Sequence, residues 1–141
     1  MTTAAEIMSP GAHWIPANET LDRAAQLMRR FDVGALPVSD PDSSDDRMCG
    51  IITDRDIVVR CVAAGHDPAQ VTAADLCQGT PRWISGDADV GAVLSEMEGH
   101  QIRRLPVIDA DKRLIGMISE ADLARHLSDD QLAHFVERVY S

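Results

Sequence analysis

The sequence lacks long apolar runs and a basic, apolar leader. Its longest uninterrupted apolar stretches, such as residues 33–38, contain only a few residues, whereas a membrane-spanning helix needs about 20. Residues 1–10 contain neither the basic region nor the apolar run of a secretory signal. We therefore expect a soluble protein that resides in the cytoplasm.

Positive charge is scarce. The chain has 141 residues, with 13 Lys and Arg against 23 Asp and Glu and a net charge of −10. A field of this sign repels the phosphate backbone of nucleic acids and the surface of anionic membranes. We therefore expect neither nucleic acid nor a membrane among its partners.

Cysteine is also rare. Cys49, Cys61 and Cys77 are odd in number and show no C-x-x-C spacing, so they neither form a closed disulfide set nor match a zinc motif. We expect buried structural thiols and no metal site. A metal-dependent or redox role for these cysteines is the minor alternative.

The usual signs of catalysis are missing. The chain has one Tyr and five His, and it contains neither a glycine-rich phosphate loop nor a nucleophile elbow. We expect a protein that is not an enzyme, with no catalytic residues and no required cofactor.

What the sequence does contain is an internal repeat, because the chain aligns with itself over most of its length. The matching segments are TAAEIM at residues 3–8 with TAADLC at 72–77, LPV at 36–38 with LPV at 105–107, and GIITDRD at 50–56 with GMISEAD at 116–122. The copies differ in length only within the polar run at residues 41–47, which is typical of a surface turn.

Each copy predicts the same order of elements: a capped turn of helix, a strand, an amphipathic helix, a hairpin of two strands and a second helix. In the first copy these lie at Thr3, residues 13–15, a helix opened by Thr20, residues 35–39 and 48–53, and residues 54–65. The second copy begins at Thr72, has its first strand at residues 82–85 and a helix opened by Asp89, and ends near Leu127.

The domain boundaries follow from these elements. We expect one repeat at residues 3–65, a second at 72–127 and an amphipathic helix at 128–141. A unit of about 55 residues buries little surface alone, so we expect the copies to pack around a pseudo-twofold axis with two equivalent clefts. Small molecules tend to bind in such clefts.

These residues resemble a known family. Each copy resembles a CBS domain (β-α-β-β-α), and the pair resembles a Bateman module spanning almost the whole chain. The residues that carry the resemblance are Leu36-Pro37-Val38 with residues 50–56, and Leu105-Pro106-Val107 with residues 116–122. The runs MTTAAEIM, VGALPV, ITDRDIV, HQIRRLPVI and EADLARHL resemble the hypoxic-response members of the family in actinobacteria, which are stand-alone pairs.

The resemblance implies a ligand of adenosine type, such as AMP, ADP, ATP or another adenosyl compound. In the family, the Ser or Thr of the strand-to-helix turn lies near phosphate and the Asp three residues later holds the ribose. Helix N-termini attract phosphate, and a carboxylate accepts hydrogen bonds from hydroxyls. The implied ligand-binding residues are Thr53 and Asp56 with Ile15 and Pro37, and Ser119 and Asp122 with Ile84 and Pro106. Arg55 and Arg104 would offset the neighbouring acids Asp54 and Glu120.

Two simpler interpretations compete with this one. Thr or Ser followed three residues later by Asp is also a helix capping box, a pattern that recurs at Thr3 and Thr72 with no ligand implied. Trp14 and Trp83 stand where the family more often has a small polar residue. Each Trp could stack on an adenine, but packing in the core, with both clefts plugged, is the favoured interpretation.

The sequence therefore predicts a stand-alone CBS-pair sensor that binds an adenine nucleotide or related nucleoside, in a hypoxia or stress response. The resemblance implies a homodimer, because members of the family stack their helix faces, and the apolar stripe of the tail supports it. We interpret that stripe as packing within the chain or a dimer contact, and only secondarily as a docking site for an unknown protein partner. The alternative function is a ligand-free dimeric scaffold of the stress response, with Trp14 and Trp83 filling the clefts.

Overall fold

The chain folds into helices and short strands. The computed structural model describes residues 2–11, 13–40, 48–77 and 82–140. In chain order the elements are α1 (Ala4–Ile7), β1 (Ser9–Pro10), β2 (Ile15–Pro16), α2 (Leu21–Phe31), β3 (Ala35–Ser39), β4 (Met48–Thr53), α3 (Asp54–Asp56), α4 (Ala73–Leu76), β5 (Ile84–Ser85), α5 (Val90–His100), β6 (Arg104–Ile108), β7 (Leu114–Ser119), α6 (Glu120–His126) and α7 (Asp129–Tyr140). The predicted mixed α/β class is confirmed.

The chain divides into two compact units. We call Ala12–Pro81 the N-unit, and we call Met1–Gly11 together with Arg82–Ser141 the C-unit. Each unit contains one of the two LPV strands and one of the two strand-to-helix turns that the sequence repeats.

The N-unit is a three-stranded sheet in the order β2-β3-β4. Strand β2 runs parallel to β3, and β3 pairs antiparallel with β4. Helix α2 begins at Thr20, whose hydroxyl accepts a hydrogen bond from the Arg23 amide at 3.2 Å. Of its predicted apolar stripe, Leu21, Ala24 and Met28 are buried in the core of this unit, whereas Ala25 is exposed.

The C-unit repeats this arrangement and adds one strand. Its sheet has the order β1-β7-β6-β5, with β1 antiparallel to β7 at the edge. Helix α7 buries Phe135 and Val139 in the core of this unit. The predicted tail helix is therefore present, and its stripe is used at least in part for packing within the chain.

The two sequence repeats exchange their opening segments. The amide of Ala4 in α1 donates to the carbonyl of Ala88 at 2.7 Å, whereas the amide of Ala73 in α4 donates to the carbonyl of Glu19 at 2.9 Å. The capped turn that opens each repeat in the sequence therefore packs with the body of the other repeat, a long-range relationship that no local pattern encodes.

One local prediction needs correction, one falls outside the described residues, and one strand was not predicted. The helix expected over residues 54–65 is α-helical only in α3 and continues as a π-helical segment, Ile57–Val62, in which the Ala63 amide reaches back to the Val58 carbonyl at 2.8 Å. Strand β1 was not expected. The polar turn at residues 41–47 lies outside the described residues.

Among the described residues, no helix is both long and apolar enough to span a membrane.

Trp83 is 47% exposed, so the expectation that it packs in the core is wrong. Trp14 is half-buried.

Candidate functional site

The turn from β4 into α3 carries the candidate site of the N-unit. The amide of Thr53 donates to Asp56 Oδ2 at 2.9 Å, and the amide of Asp56 donates to Thr53 Oγ1 at 3.1 Å. These two bonds form a complete capping box. The capping role of this pair, the simpler of the two interpretations, is therefore present in the structure.

Asp56 retains capacity for further contacts. Its side chain is 30% exposed, and its Oδ1 lies 4.0 Å from Arg60 Nη1. The same Arg60 nitrogen donates to the carbonyl of Leu76 at 2.8 Å, at the end of α4. A carboxylate accepts several hydrogen bonds. Oδ1 of Asp56 can therefore accept hydrogen bonds from hydroxyl groups while Oδ2 accepts the capping bond from the Thr53 amide.

The corresponding turn from β7 into α6 in the C-unit is built from Ser119 and Asp122. The Ser119 amide donates to Asp122 Oδ2 at 2.9 Å, and the Ser119 hydroxyl donates to the same oxygen at 3.1 Å. The amide of Asp122 completes the box at 3.4 Å from Ser119 Oγ.

Asp122 differs from Asp56 in burial and in partners. It is 1% exposed. Its Oδ1 accepts a hydrogen bond from the Ser9 hydroxyl at 2.8 Å and is paired with Arg125. Both carboxylate oxygens of Asp122 are therefore engaged within the C-unit, so the two candidate sites are not equivalent.

The remaining predicted residues lie on the neighbouring strands of the same units. Ile15 and Pro37 are buried on β2 and β3, and Ile84 and Pro106 are buried on β5 and β6. Arg104 is half-buried and pairs in register with Ser119, whereas Arg55 is exposed on α3. In each unit the predicted residues thus lie on neighbouring strands of one sheet and on the turn that follows β4 or β7.

Sequence reasoning missed Ser9, Arg60 and Arg125. The two arginines follow Asp56 and Asp122 by four and three residues, a spacing that places side chains side by side on a helix. That spacing in the sequence could have identified both arginines as partners of the two aspartates. Ser9 is 113 positions from Asp122, and its position depends on the edge strand β1.

Two thiols lie beside the N-unit site. Burial raises the pKa of Cys77 to about 11, and the neighbouring Cys49 thiol and Asp56 carboxylate add to this effect. Burial also raises the pKa of Cys49, and Asp40 contributes to that shift. Neither thiol has the lowered pKa of a nucleophilic cysteine.

Metal-ligating side chains do not cluster in the part of the chain that the structure describes. Between residues 2 and 140, outside the gaps at 12, 41–47 and 78–81, no group of three or more His, Cys, Asp or Glu side chains converges. Three or four converging ligands are what a protein zinc site requires. The described residues therefore do not fit such a site.

These units define a pair of CBS domains. The family model for the CBS domain matches residues 4–62 and 73–129, and the chain belongs to this family. The chain is similar to Hypoxic response protein 1 of Mycobacterium tuberculosis, with 44% identity over 141 residues, which is 100% of this chain and 96% of the relative.

Two solved structures are similar to this fold. The crystal structure of Hypoxic Response Protein I with two coordinated zinc ions has a TM-score of 0.78 and 46% identity, and covers 90% of this chain and 100% of that one. A CBS domain protein from Pyrobaculum aerophilum complexed with AMP has a TM-score of 0.79 and 21% identity, and covers 96% of this chain and 98% of that one.

Proposed function

We propose that this CBS-pair protein is a regulatory, non-catalytic sensor that binds an adenine nucleotide or a related nucleoside compound. The AMP-bound protein from Pyrobaculum aerophilum supports this class of ligand, since it shares the fold. The 44% identity to a hypoxic response protein supports a role in hypoxia or a related stress. A ligand would act by stabilising one conformation of the pair over another.

The observation that carries the proposal is that the Asp56 carboxylate is held in place and yet partly exposed. Its Oδ2 is held by the Thr53 amide at 2.9 Å, and its partly exposed Oδ1 has Arg60 at 4.0 Å. The carboxylate is thus fixed in position by its own cap before any ligand arrives. In the proposed complex Asp56 accepts the ribose hydroxyls, the Thr53 turn meets phosphate, and backbone near Ile15 and Pro37 meets the base.

We propose that the N-unit site is the stronger of the two. At the corresponding Asp122, a ribose hydroxyl would have to replace the Ser9 hydroxyl or Arg125, both of which already contact Oδ1. Exchanging one hydrogen bond for another yields little net free energy. The C-unit site, formed by Ser119 and Asp122 with Ile84, Arg104 and Pro106, is therefore the weaker one.

A thermal-shift screen with AMP, ADP, ATP, NAD and S-adenosylmethionine tests the proposal. A ligand at one hundred times its dissociation constant adds about 2.7 kcal/mol of stability, which raises the melting temperature of a chain this size by roughly 5 to 10 °C. We expect at least one of these compounds to produce that rise. If none of them does, the protein is not a sensor of adenosine-type ligands.

The alternative function is a ligand-free dimeric scaffold, in which Thr53 and Asp56 act only as a cap. The complete capping boxes in both units favour it. So does the exposed apolar surface of the π-helical segment, where Val58 and Val62 are 58% and 56% exposed. The scaffold requires a stable dimer, which light scattering detects, together with a melting temperature that no nucleotide raises in the thermal-shift screen.

A further inference from the structure

A β-bulge places Cys49 out of the regular alternation of β4. Val38 pairs with Gly50 and Ser39 pairs with Met48, which leaves Cys49 as the extra residue on this strand. Side chains at such a bulge depart from the strict up-and-down order of a strand. The Cys49 side chain is therefore not restricted to the face opposite that of Gly50.

Cys77 approaches the same point of β4 from the end of α4. Its amide caps that helix by donating to the Ala73 carbonyl at 3.1 Å. A Cβ added to Gly50 would lie 2.7 Å from Cys77 Sγ and 3.0 Å from Cys77 Cβ. Cys77 thus occupies space that only a glycine leaves open, and that glycine is next to Cys49 in the chain. The two thiols are close enough to affect each other's pKa.

The C-unit shows what packing alone requires at these positions. Its bulge leaves Ile115 as the extra residue of β7, and Met8 lies against Gly116 as Cys77 lies against Gly50. Ile115 and Met8 both pack against the hydrophobic core of the C-unit. Larger apolar side chains fill the same places there, so packing does not by itself require a pair of cysteines in the N-unit.

We propose that Cys49 and Cys77 are a modification site, a dithiol that low-molecular-weight disulfides oxidise to an intramolecular disulfide. Both cysteines are free and only partly buried, which leaves room for a small reagent to approach. The bond would tie the end of α4 to β4. It would also hold Cys77 next to Asp56 and Arg60, the charged groups of the N-unit site with which its thiol interacts.

The chemistry is a two-step thiol–disulfide exchange. The Cys49 thiolate attacks one sulfur of the reagent, the reagent S–S bond breaks, and the first reagent thiolate leaves. The Cys77 thiolate then attacks the Cys49 sulfur and expels the second reagent thiolate. Two electrons pass from the protein to the reagent, and the two protons lost by the protein thiols end on the two reagent thiols.

The local environment of the two thiols slows their oxidation. Burial raises the pKa of both thiols, so the reduced pair is not stabilised in the thiolate form. A stabilised thiolate is what makes a disulfide strongly oxidising. The same shift keeps the thiolate fraction low at neutral pH, so oxidation is slow. Cys61, the third cysteine, differs from this pair in its burial. It is fully buried, and its thiol lies 3.6 Å from the His66 carbonyl oxygen.

Thiol counting in the full-length reduced protein tests this proposal and needs no nucleotide, so its outcome is independent of the proposed ligand function. The protein is incubated with oxidised glutathione to equilibrium at mildly alkaline pH, and its remaining thiols are then labelled in denaturant. Mass spectrometry of the intact chain and a non-reducing peptide map identify the linkage. Cys61→Ser is the matched control, because a hydroxyl can still donate to the His66 carbonyl.

We expect the native chain to lose two of its three thiols, to lose the mass of two hydrogen atoms, and to yield a peptide linking Cys49 to Cys77. Cys61→Ser should lose both remaining thiols in the same way. Cys49→Ser and Cys77→Ser should form no internal disulfide and should carry at most glutathione adducts. Three unmodified thiols at equilibrium, or a linkage that includes Cys61, would overturn the proposal.

Discussion

The hydroxyl of Ser9 donates a 2.8 Å hydrogen bond to Oδ1 of Asp122, across 113 positions of sequence. This bond joins the edge strand β1 to the first turn of α6 and helps to bury the carboxylate almost completely. It also makes the two repeats unequal, because Asp56 in the N-unit remains partly exposed. One repeat therefore keeps its acidic side chain available, and the other engages it internally.

Replacing Ser9 should destabilise the fold. Ser9→Ala removes one donor from a buried charged acceptor, which costs about 1–2 kcal/mol. Urea denaturation followed by circular dichroism measures the free energy of unfolding. Ser95→Ala is the matched control, because Ser95 is exposed on α5 and its loss should change stability by less than about 0.5 kcal/mol. Equal effects of the two substitutions would mean that the Ser9 contact contributes nothing.

The sequence predicted what is encoded locally. The repeat, the CBS family and the strand-to-helix turns at Thr53 and Ser119 follow from neighbouring residues in the chain. The exchange of α1 and α4, the Ser9 contact and the meeting of Cys49 with Cys77 were not predicted, because each joins distant segments through tertiary packing. The exposure of Trp83 was mispredicted, since a large aromatic residue beside a strand usually packs inside.

Gly116 should tolerate no side chain. A Cβ there would lie 2.7 Å from the backbone oxygen of Ser9 and 2.5 Å from Met8 Sδ, so Gly116→Ala must displace β1 at a cost of about 1–3 kcal/mol. Gly99→Ala is the control, because a Cβ at Gly99 meets no heavy atom within 4 Å. In α5 it should stabilise the protein by up to about 1 kcal/mol. Thermal denaturation of both variants measures these changes in stability. An unchanged stability of Gly116→Ala would contradict the close packing of β1.

The Cys77 thiol should react slowly at neutral pH. Its pKa is raised from 9.0 to about 11, so its alkylation rate in the folded protein should reach half-maximum near pH 11, against about pH 9 in the unfolded chain. Because the folded pKa is the higher one, this thiol stabilises the fold below pH 9, and the contribution is lost as the pH rises towards 11. Peptide-resolved iodoacetamide labelling over this range measures the midpoint. A midpoint at or below pH 9 would contradict the burial of this thiol.

The two aromatic residues Trp83 and Phe135 should differ sharply in their contribution to stability. Trp83 is 47% exposed and Phe135 is fully buried, both in the C-unit. Trp83→Ala should cost less than about 1 kcal/mol, whereas Phe135→Ala should cost about 3–5 kcal/mol. Urea denaturation compares them, and a cost for Trp83→Ala similar to that for Phe135→Ala would place Trp83 in the core after all.

The central claim is that Asp56 holds a ribose in addition to capping α3. Calorimetric titration of AMP into the native protein and into Asp56→Asn tests it directly, because the Asn carbonyl can still accept from the Thr53 amide while its amino group cannot accept from a hydroxyl. We predict that the native protein binds AMP and that Asp56→Asn binds it about tenfold or more weakly at an unchanged melting temperature. Absence of binding to the native protein, or equal binding by both, would contradict the account.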